Sequence, residues 1–316
     1  MTQTTISPSS SPVRRTPDAP TPTRPGAHRA KWVSRGLVAP ALVVAIILTQ
    51  VPFLVTIWYS FQDWNLLRPG SRSFVGFENY VTVFTSTDLY SSIFATALIT
   101  GSSVILSIVF GFFLAMLLDR NFRGRGLART LLITPFLVMP AAAALLWKWS
   151  LFDANVGIFN WVLGVVGIPA VEWNTDVPAL TIIAVMTWQF TPFMMLILLA
   201  GLQSQSREVL EAASVDGAGP FRTFTSMTLP HMRQYVELAA LLGTIFMIQV
   251  FDPVNIMTKG TGSTKTLPYL LYEKAFVALD VGEAAAYGVV TVVITIAIAT
   301  AALRFMFRSF SLGGSK

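Results

Sequence analysis

Six apolar stretches constrain this chain more than any other feature of its sequence. A transmembrane helix needs about 20 mostly apolar residues, and such stretches run over Leu37–Phe61, Ile93–Leu118, Leu131–Trp149, Ala179–Gly201, Leu238–Ile256 and Ala284–Phe307. The third and fifth are the weakest, because prolines interrupt the third and polar residues lie in the fifth. The sequence therefore predicts an all-α polytopic membrane protein with six transmembrane helices.

The composition agrees with a membrane protein and argues against an enzyme. Only 12% of the 316 residues are charged and the mean hydropathy is +0.63, whereas a soluble domain carries about 25% charged residues. The chain has no cysteine and only two histidines, and no H-E-x-x-H motif is present. We therefore expect no catalytic residues, no metal site and no cofactor held by this chain.

The distribution of basic residues predicts how the chain is oriented. Most of the 22 Lys and Arg residues lie before the first apolar stretch, in "DRNFRGRGLART", between the fourth and fifth stretches, and at the carboxyl end. Cytoplasmic loops carry an excess of Lys and Arg. Both termini and the connection between stretches four and five are therefore predicted to be cytoplasmic. The net charge of +6 reflects this asymmetry and does not indicate a nucleic-acid partner.

The chain divides into a membrane domain and two tails. Residues 1–36 are rich in Pro, Ser and Arg, as in "SPSSSPVRRTPDAPTPTRPG", which predicts a disordered cytoplasmic tail. Residues 37–307 form the predicted membrane domain, and residues 308–316 form a cytoplasmic carboxyl-terminal tail. In the outward loops, Trp64, Tyr80, Trp161 and Trp173 are candidates for anchors at the membrane surface.

The connection over residues 203–236 is unusually organised for a polar loop. "SREVLEAASV" has helical spacing, Asp216-Gly217 is a turn signal, Pro220 fits the first turn of a second helix, and Pro230 is predicted to end that helix. The pattern predicts a helix, a tight turn and a second short helix. The residues alone leave open whether this is an ordered loop or a docking element.

Within this connection, "EAASVDGAGPFRTFTSMTLP" resembles the EAA loop of permease subunits from binding-protein-dependent ABC importers. The resemblance is carried by Glu211, Ala212, Ala213, Asp216, Gly217, Ala218, Leu229 and Pro230. It extends over most of the chain and is closest to the carbohydrate-uptake branch, in particular the maltose-type permease. It implies a type I ABC importer permease fold, with the loop helix in a groove of an ATPase subunit.

The same resemblance implies the partners and the location. Two ATP-binding cassette subunits would bind ATP and Mg²⁺, and a second permease, a non-identical homologue, would complete the pathway. An extracytoplasmic solute-binding protein would deliver a carbohydrate substrate, either a sugar or a polyol. The chain is expected to be a multi-pass protein of a prokaryotic plasma (inner) membrane, embedded in the lipid bilayer.

Two segments carry polar residues inside apolar stretches. "MTWQFTPFMM" and "IQVFDPVN" interleave amide and carboxylate groups with Phe rings, as a sugar site requires. The polar groups could equally satisfy one another or the carbonyls of kinked helices. The resemblance implies a substrate pathway at Met186, Gln189, Phe190, Phe193, Phe251, Asp252 and Asn255, with Phe136 in "ITPFLVMP" as a further candidate.

The sequence contains one stretch that superficially resembles a phosphate-binding loop. "KGTGSTKT" is not a phosphate-binding loop, because that motif requires Gly directly before Lys and Lys265 follows Thr264. ATP is then hydrolysed by another chain. The alternative is a gradient-driven secondary transporter that couples through Asp252, although such folds often contain two related halves, and none stand out here.

Overall fold

The computed structural model describes residues 27–70 and 72–313, and most of these residues are helical. In chain order the elements are α1 (Ala27–Ser60), β1 (Gln62–Asp63), β2 (Ser73–Phe74), α2 (Glu78–Thr85), α3 (Thr87–Asp119), α4 (Arg125–Leu137), α5 (Pro140–Leu146), α6 (Ile158–Val165), α7 (Trp173–Asp176), α8 (Pro178–Gln203), α9 (Arg207–Val215), α10 (Pro220–Thr223), α11 (Leu229–Met247), α12 (Leu267–Tyr272) and α13 (Val281–Gly313). Turns of π-helix occupy Trp147–Leu151, Phe224–Thr228, Val254–Thr258 and Glu273–Val277.

The chain separates into two compact units, Met1–Phe53 and Leu54–Lys316, and α1 contributes to both. Within the described residues, four helical segments are long and apolar enough to cross a bilayer: Ala39–Ser60 of α1, α3, α8 and Val281–Ile298 of α13. They coincide with the first, second, fourth and sixth predicted spans. A bent pair of helices raises the possible number of spans to five.

That bent pair overlaps the predicted third span, Leu131–Trp149, and shows where a proline of that stretch breaks the helix. The helix stops at Leu137, restarts at Pro140, and turns through 97° between α4 and α5. Val138 and Met139 have extended ψ angles of 133° and 135°. A residue before proline avoids the α conformation, and proline cannot donate a hydrogen bond to the preceding turn. Pro140 therefore places the break.

The predicted fifth span, Leu238–Ile256, is also discontinuous. Helix α11 begins earlier, at Leu229, and ends at Met247. The backbone leaves the helical conformation before Asp252 and then forms the π-helical turn Val254–Thr258. Polar Gln249 and Asp252 and the proline at 253 occupy this break. Broken helices at membrane depth are tolerated where they are buried in protein or line a cavity.

The ends of the chain are more helical than predicted. Helix α1 begins at Ala27, so residues 27–36 of the predicted disordered tail are helical. The segment "AHRAKWVSRG" contains several good helix formers and no proline. Residues 1–26 lie outside the described part of the chain. At the other end, α13 continues to Gly313 through most of the predicted tail, and residues 314–316 are not described.

The core of the second unit forms where α3 packs against α8. One buried stripe of α3 consists of small residues spaced about one helical turn apart: Ser92, Thr96, Thr100, Ser103, Ser107, Gly111 and Ala115. Opposite this stripe α8 buries Met194, Met195 and Leu198. Small residues let helix backbones approach closely in membranes. At Gly111 the approach is so tight that a Cβ would lie 2.9 Å from the backbone nitrogen of Met195.

A short β-hairpin, which the sequence analysis does not predict, connects α1 to α2. Gln62 of β1 pairs with Phe74 of β2. Arg72 lies over the ring of Trp64 at 4.3 Å, and the carbonyl of Trp64 accepts a hydrogen bond of 2.9 Å from the backbone N–H of Val281. Trp64, one of the candidate anchors, thus has neighbours within the protein and ties the hairpin to the start of α13.

Candidate functional site

The loop of residues 203–236, called the coupling segment below, folds as the predicted helix, turn and helix. Asp216 follows the last residue of α9, and Gly217 has a φ of +80°, in the left-handed region that glycine adopts without strain. The backbone N–H of Ala218 donates to the carbonyl of Ala213 at 2.9 Å. Pro220 then occupies the first turn of α10. The turn chemistry of the sequence is confirmed.

The two alanines of the motif have different environments. Ala212 is exposed, whereas Ala213 is only 3% exposed and packs inside the segment. Of these two alanines, only Ala212 is accessible to a partner in this structure. Glu211, Asp216, Gly217, Leu229 and Pro230 are exposed, and Ala218 is half-buried. The accessible motif residues are thus Glu211 and Ala212 on α9, Asp216 and Gly217 in the turn, and Leu229 and Pro230 at the start of α11.

Two bulky apolar side chains of the coupling segment are almost fully exposed. Val215 is 87% exposed at the end of α9, and Phe221 is 81% exposed at the start of α10. They flank the Asp216-Gly217 turn. Singly exposed apolar residues are common on protein surfaces, but these two lie beside an exposed alanine in a segment with a fixed backbone. Both side chains are therefore accessible to a partner.

The second helix of the segment does not end at Pro230, contrary to the prediction. Helix α10 continues through the π-helical turn Phe224–Thr228 directly into α11, with Pro230 in the first turn of α11. The N–H of Leu229 reaches back five residues to the carbonyl of Phe224. The wider π-turn leaves room for the proline ring, so the helical path is uninterrupted. A π-turn of this kind is typical of functional sites.

A polar cluster, which sequence reasoning missed, joins the two ends of the coupling segment. The hydroxyl oxygen of Ser204, at the end of α8, lies 2.7 Å from the Tyr235 hydroxyl and 3.0 Å from His231 Nε2, both on α11. Ser204 also donates to the carbonyl of Gly201 at 2.8 Å. Contacts across 27 and 31 residues of sequence have no local pattern, so only the fold reveals this clip.

The predicted substrate residues gather at the two helix breaks. A cavity of about 110 Å³ lies where the α4–α5 bend and the break after α11 face α8. Five predicted residues line it: Met186, Gln189, Phe190, Phe251 and Asp252. Gln249, one of the polar residues of "IQVFDPVN", also lines it, and the lining residues that sequence reasoning did not assign are Pro140, Phe246, Val250 and Pro253. Two of these are prolines, and the breaks that they create are the signal that could have identified them.

Three predicted residues do not line this cavity. Phe136 stacks on Phe193 with ring centroids 5.2 Å apart and contacts Phe190 edge-on at 6.0 Å. These rings extend an aromatic wall away from the cavity along α4 and α8. Asn255 lies in the π-helical turn after the second break and is not part of the lining.

Gln189 makes the most informative polar contact at the cavity. Its side chain is 4% exposed, and its Nε2 donates a hydrogen bond of 2.7 Å to the carbonyl of Val138 in the α4–α5 bend. This is the contact expected if the polar group satisfies a kinked backbone. The bond stabilises the bend and also holds the amide at the cavity wall, so the two interpretations of Gln189 are compatible in this structure.

A larger cavity, about 670 Å³, lies between α3, α4 and α8 but has a different chemical character. Phe110, Phe113, Leu132 and Trp188 are among its lining residues, and almost none of its surface is polar. Sugar hydroxyls require hydrogen-bond partners, so the smaller cavity is the better candidate for a polar solute.

Comparison with known proteins identifies the family. The family described as the inner membrane component of binding-protein-dependent transport systems matches residues 107–310. The chain belongs to this family. The matched region begins within α3 and ends near the end of α13, so it includes both the coupling segment and the small cavity. The protein is therefore a multi-pass membrane permease subunit.

Relatives of this permease match it over most of its length. A probable ABC transporter permease protein of Sinorhizobium fredii, y4oQ, is 35% identical over 86% of this chain and 89% of the relative. The trehalose/maltose transport system permease protein MalF of Thermococcus litoralis is 32% identical over 82% of this chain and 88% of the relative.

The fold also matches a solved permease chain. The match is to the bacterial alginate ABC transporter in complex with an alginate pentasaccharide-bound periplasmic protein. It has a TM-score of 0.73 at 19% identity and covers 87% of this chain and 93% of that chain. The structure of the permease thus has the ABC importer permease fold.

Proposed function

We propose that the protein is one of two permease subunits of an ATP-driven ABC importer for a sugar or polyol. It forms half of the translocation pathway beside a second, non-identical permease. Two ATPase subunits bind ATP and Mg²⁺ on the cytoplasmic side, and a solute-binding protein docks on the outer side. This permease hydrolyses nothing itself. Its coupling segment receives the motion of the ATPases.

The observation that carries the proposal is the coupling segment. A chain that only connects two spans gains nothing from a glycine-fixed turn, exposed Val215 and Phe221, and the Ser204 clip that holds both ends together. A surface that transmits force needs all three features, because a displacement spreads through a rigid element and dissipates in a flexible one. Glu211, exposed on α9, would pair with a basic group of the ATPase.

The contacts within the segment "KGTGSTKT" support the proposal that another chain hydrolyses ATP. The Thr264 hydroxyl is buried and lies 2.7 Å from that of Thr258, and Lys265 forms an ion pair of 2.6 Å with Glu273. These groups are engaged with the protein, whereas the Lys and Thr of a phosphate-binding loop face the nucleotide. The segment instead supports the backbone after the second helix break.

Six membrane crossings with both termini in the cytoplasm complete the proposal. The bent α4–α5 pair would serve as the third crossing, and α11 together with the π-helical turn Val254–Thr258 as the fifth. This path places the coupling segment, between crossings four and five, on the same side as the termini. The excess of Lys and Arg in those segments supports that orientation.

A carbohydrate substrate is supported by the chemistry of the small cavity. Gln189, Gln249 and Asp252 offer donors and acceptors for hydroxyl groups, and Phe190 and Phe251 offer faces for sugar rings. The named relative of T. litoralis transports trehalose and maltose, and the solved neighbour transports alginate. In the proposed cycle, the helix breaks at the cavity allow its opening to change sides as the ATPases close and reopen.

Uptake by membrane vesicles distinguishes this proposal from gradient-driven transport. Inside-loaded ATP should support accumulation of a radiolabelled sugar by the assembled complex when ionophores have collapsed all ion gradients. Non-hydrolysable ATP should not. Transport that stops with the ionophore while ATP remains would favour a secondary transporter that couples through Asp252.

The role of the coupling segment can be tested by cross-linking. The chain has no cysteine, so Ala212→Cys creates a single reactive thiol on the exposed side of α9. We expect it to form a cross-link to an ATPase subunit, whereas Thr175→Cys, exposed in the α7 region, should not. Glu211→Lys should leave membrane insertion intact and weaken ATPase association. Normal association of the Glu211 variant, together with no cross-link from position 212, would refute the assigned role.

A further inference from the structure

Helix α6, in the connection between α5 and α8, has an exposed apolar side. Ile158, Trp161, Val162 and Val165 recur at intervals of three and four residues, which places them on one side of the helix. We call these four residues the α6 face. Trp161 and Val165 are each 70% exposed, and Ile158 and Val162 are about half exposed. Val156, Val166 and Ile168 extend this exposed apolar surface on both sides of the helix.

The other side of α6 is fixed to the protein. The Phe159 ring contacts Trp147, Phe152 and Trp173 with ring centroids 5.2 to 6.2 Å apart. Asn160 Nδ2 donates to the carbonyls of Asp153, Ala154 and Val171, and Asn160 Oδ1 accepts from the N–H of Val171 and from the Trp173 indole N–H. The α6 face therefore points outward in a defined direction and is not a consequence of a loosely placed helix.

The neighbours of α6 connect it to membrane-spanning elements. Trp147 begins the π-helical turn at the end of the bent α4–α5 pair, and Trp173 lies in α7, five residues before α8 begins at Pro178. Helix α6 thus packs over the end of one candidate span and beside the start of another. Its position is therefore at the ends of candidate spans.

The charge pattern around α6 agrees with that position. Residues 154–171 contain no ionisable side chain, and the segment is bounded by Asp153 and Glu172. The Asp153 carboxylate accepts hydrogen bonds from the backbone N–H groups of Val156 and Asn155, which lower the pKa of this carboxyl. The segment thus has a carboxylate at each end, while the residues between them require no hydration of charge.

We propose that α6 lies in the plane of the membrane surface, with the α6 face inserted among the lipid acyl chains next to the headgroups. An amphipathic helix at this boundary buries its apolar side to a shallow depth, and tryptophan is favoured at the interface because its ring is amphipathic. In the proposed topology this is the outer leaflet. The inference does not depend on the solute or on the source of energy.

Protein partners fit the α6 face less well than lipid does. A solute-binding protein must bind and leave, and interfaces of that kind are only about as apolar as an ordinary surface and carry a polar rim. A second permease would pack through small residues, as α3 does along its buried stripe. The α6 face consists of bulky Ile, Val and Trp side chains. Fluid acyl chains accommodate such a surface without shape complementarity.

Single spin labels measure the depth of α6 directly, because the chain contains no cysteine. The full chain is reconstituted in phosphatidylcholine vesicles containing about one-fifth phosphatidylglycerol, with a nitroxide on Val165→Cys or Val162→Cys. Collisions with oxygen report on lipid, and collisions with a water-soluble nickel chelate report on water. Ile105→Cys on the exposed side of α3 is the lipid reference, and Thr175→Cys, in the same connection as α6, is the aqueous reference.

The expected ratio of oxygen to nickel collisions at positions 162 and 165 is several-fold above that at Thr175→Cys and approaches that at Ile105→Cys. A ratio equal to that of the aqueous reference at both positions would overturn the proposal. So would low collision rates with both reagents, which would show that protein covers the face. Shielding that appears only on addition of a solute-binding protein would also overturn it. The measurement requires no transport, so its failure is separable from that of the proposed function.

Discussion

A close contact between the backbones of α3 and α8 predicts a large difference between two glycine substitutions in α3. A Cβ at Gly111 would lie 2.9 Å from Met194 Cβ and 3.1 Å from the carbonyl oxygen of Thr191. Carbon atoms prefer to be about 3.5–4.0 Å apart, so Gly111→Ala forces α3 and α8 to separate. At Gly101, in the same helix, a Cβ meets nothing within 4 Å. Gly101→Ala is therefore the matched control.

The two variants share one effect and differ in the other. Replacing a helical glycine by alanine stabilises the helix by about 0.5–1 kcal/mol in either case, so this contribution cancels in the comparison. Overpacking a tight core costs about 1–3 kcal/mol, and it applies only at position 111. We expect Gly111→Ala to have a free energy of unfolding lower than that of Gly101→Ala by about 1–3 kcal/mol.

Unfolding in mixed micelles by titration with sodium dodecyl sulfate, followed by circular dichroism, measures this difference. Both variants should retain native helix content before the transition. If Gly111→Ala were as stable as Gly101→Ala, the α3–α8 contact would not be as close as the structure has it. The small-residue stripe would then not determine the distance between α3 and α8.

Three further predictions concern the coupling segment and the cavity. Gly217→Ala should weaken binding to the isolated ATPase subunit roughly 5- to 30-fold, because an alanine in the left-handed conformation costs about 1–2 kcal/mol. The control Gly219→Ala should bind normally, because Gly219 has a φ of −67°. Equal affinities of the two variants would contradict this prediction. Tyr235→Phe should lower the free energy of unfolding by about 0.5–1.5 kcal/mol in the detergent titration. Ser204→Ala should lower it by more, because Ser204 is the partner that both Tyr235 and His231 contact. Unchanged stability in both variants would show that the Ser204 clip does not stabilise the protein. Gln189→Met should lower the free energy of unfolding by about 1–3 kcal/mol, because it leaves the Val138 carbonyl at the α4–α5 bend unpaired. It should also slow sugar uptake. Wild-type values in both measurements would show that Gln189 neither stabilises the bend nor contributes to transport.

The sequence predicts the straight spans well, because length and hydropathy determine them. Helices α3 and α8 enclose their predicted spans, and the Asp216-Gly217 turn depends on a local preference of glycine. The interrupted spans are less predictable. The sequence contains Pro140 and Pro253, but the 97° bend also depends on Gln189 of α8 reaching the freed carbonyl of Val138, which is a contact between distant parts of the chain.

The candidate sites also depend partly on contacts between distant parts of the chain, which the sequence does not predict. The motif around Glu211 is local in sequence, so its residues are identified by their resemblance to the EAA loop. The different exposure of Ala212 and Ala213 is not predictable in this way, because helical periodicity places adjacent residues about 100° apart and only the packing decides which one is covered. The Ser204 clip and the lining residue Phe246 depend on α8 and α11 lying side by side. No single-sequence pattern encodes that arrangement.

The uninterrupted helical path from Pro220 to Met247 links the two candidate sites mechanically. One end carries exposed Phe221, and the other end presents Phe246 to the small cavity. At a rise of about 1.5 Å per residue this rod is roughly 40 Å long, so a tilt of about 5° displaces one end by about 3 Å relative to the other. If the proposed coupling operates, a small displacement of the coupling segment would move the cavity end by a distance comparable to the width of a sugar ring, because this helical path contains no break.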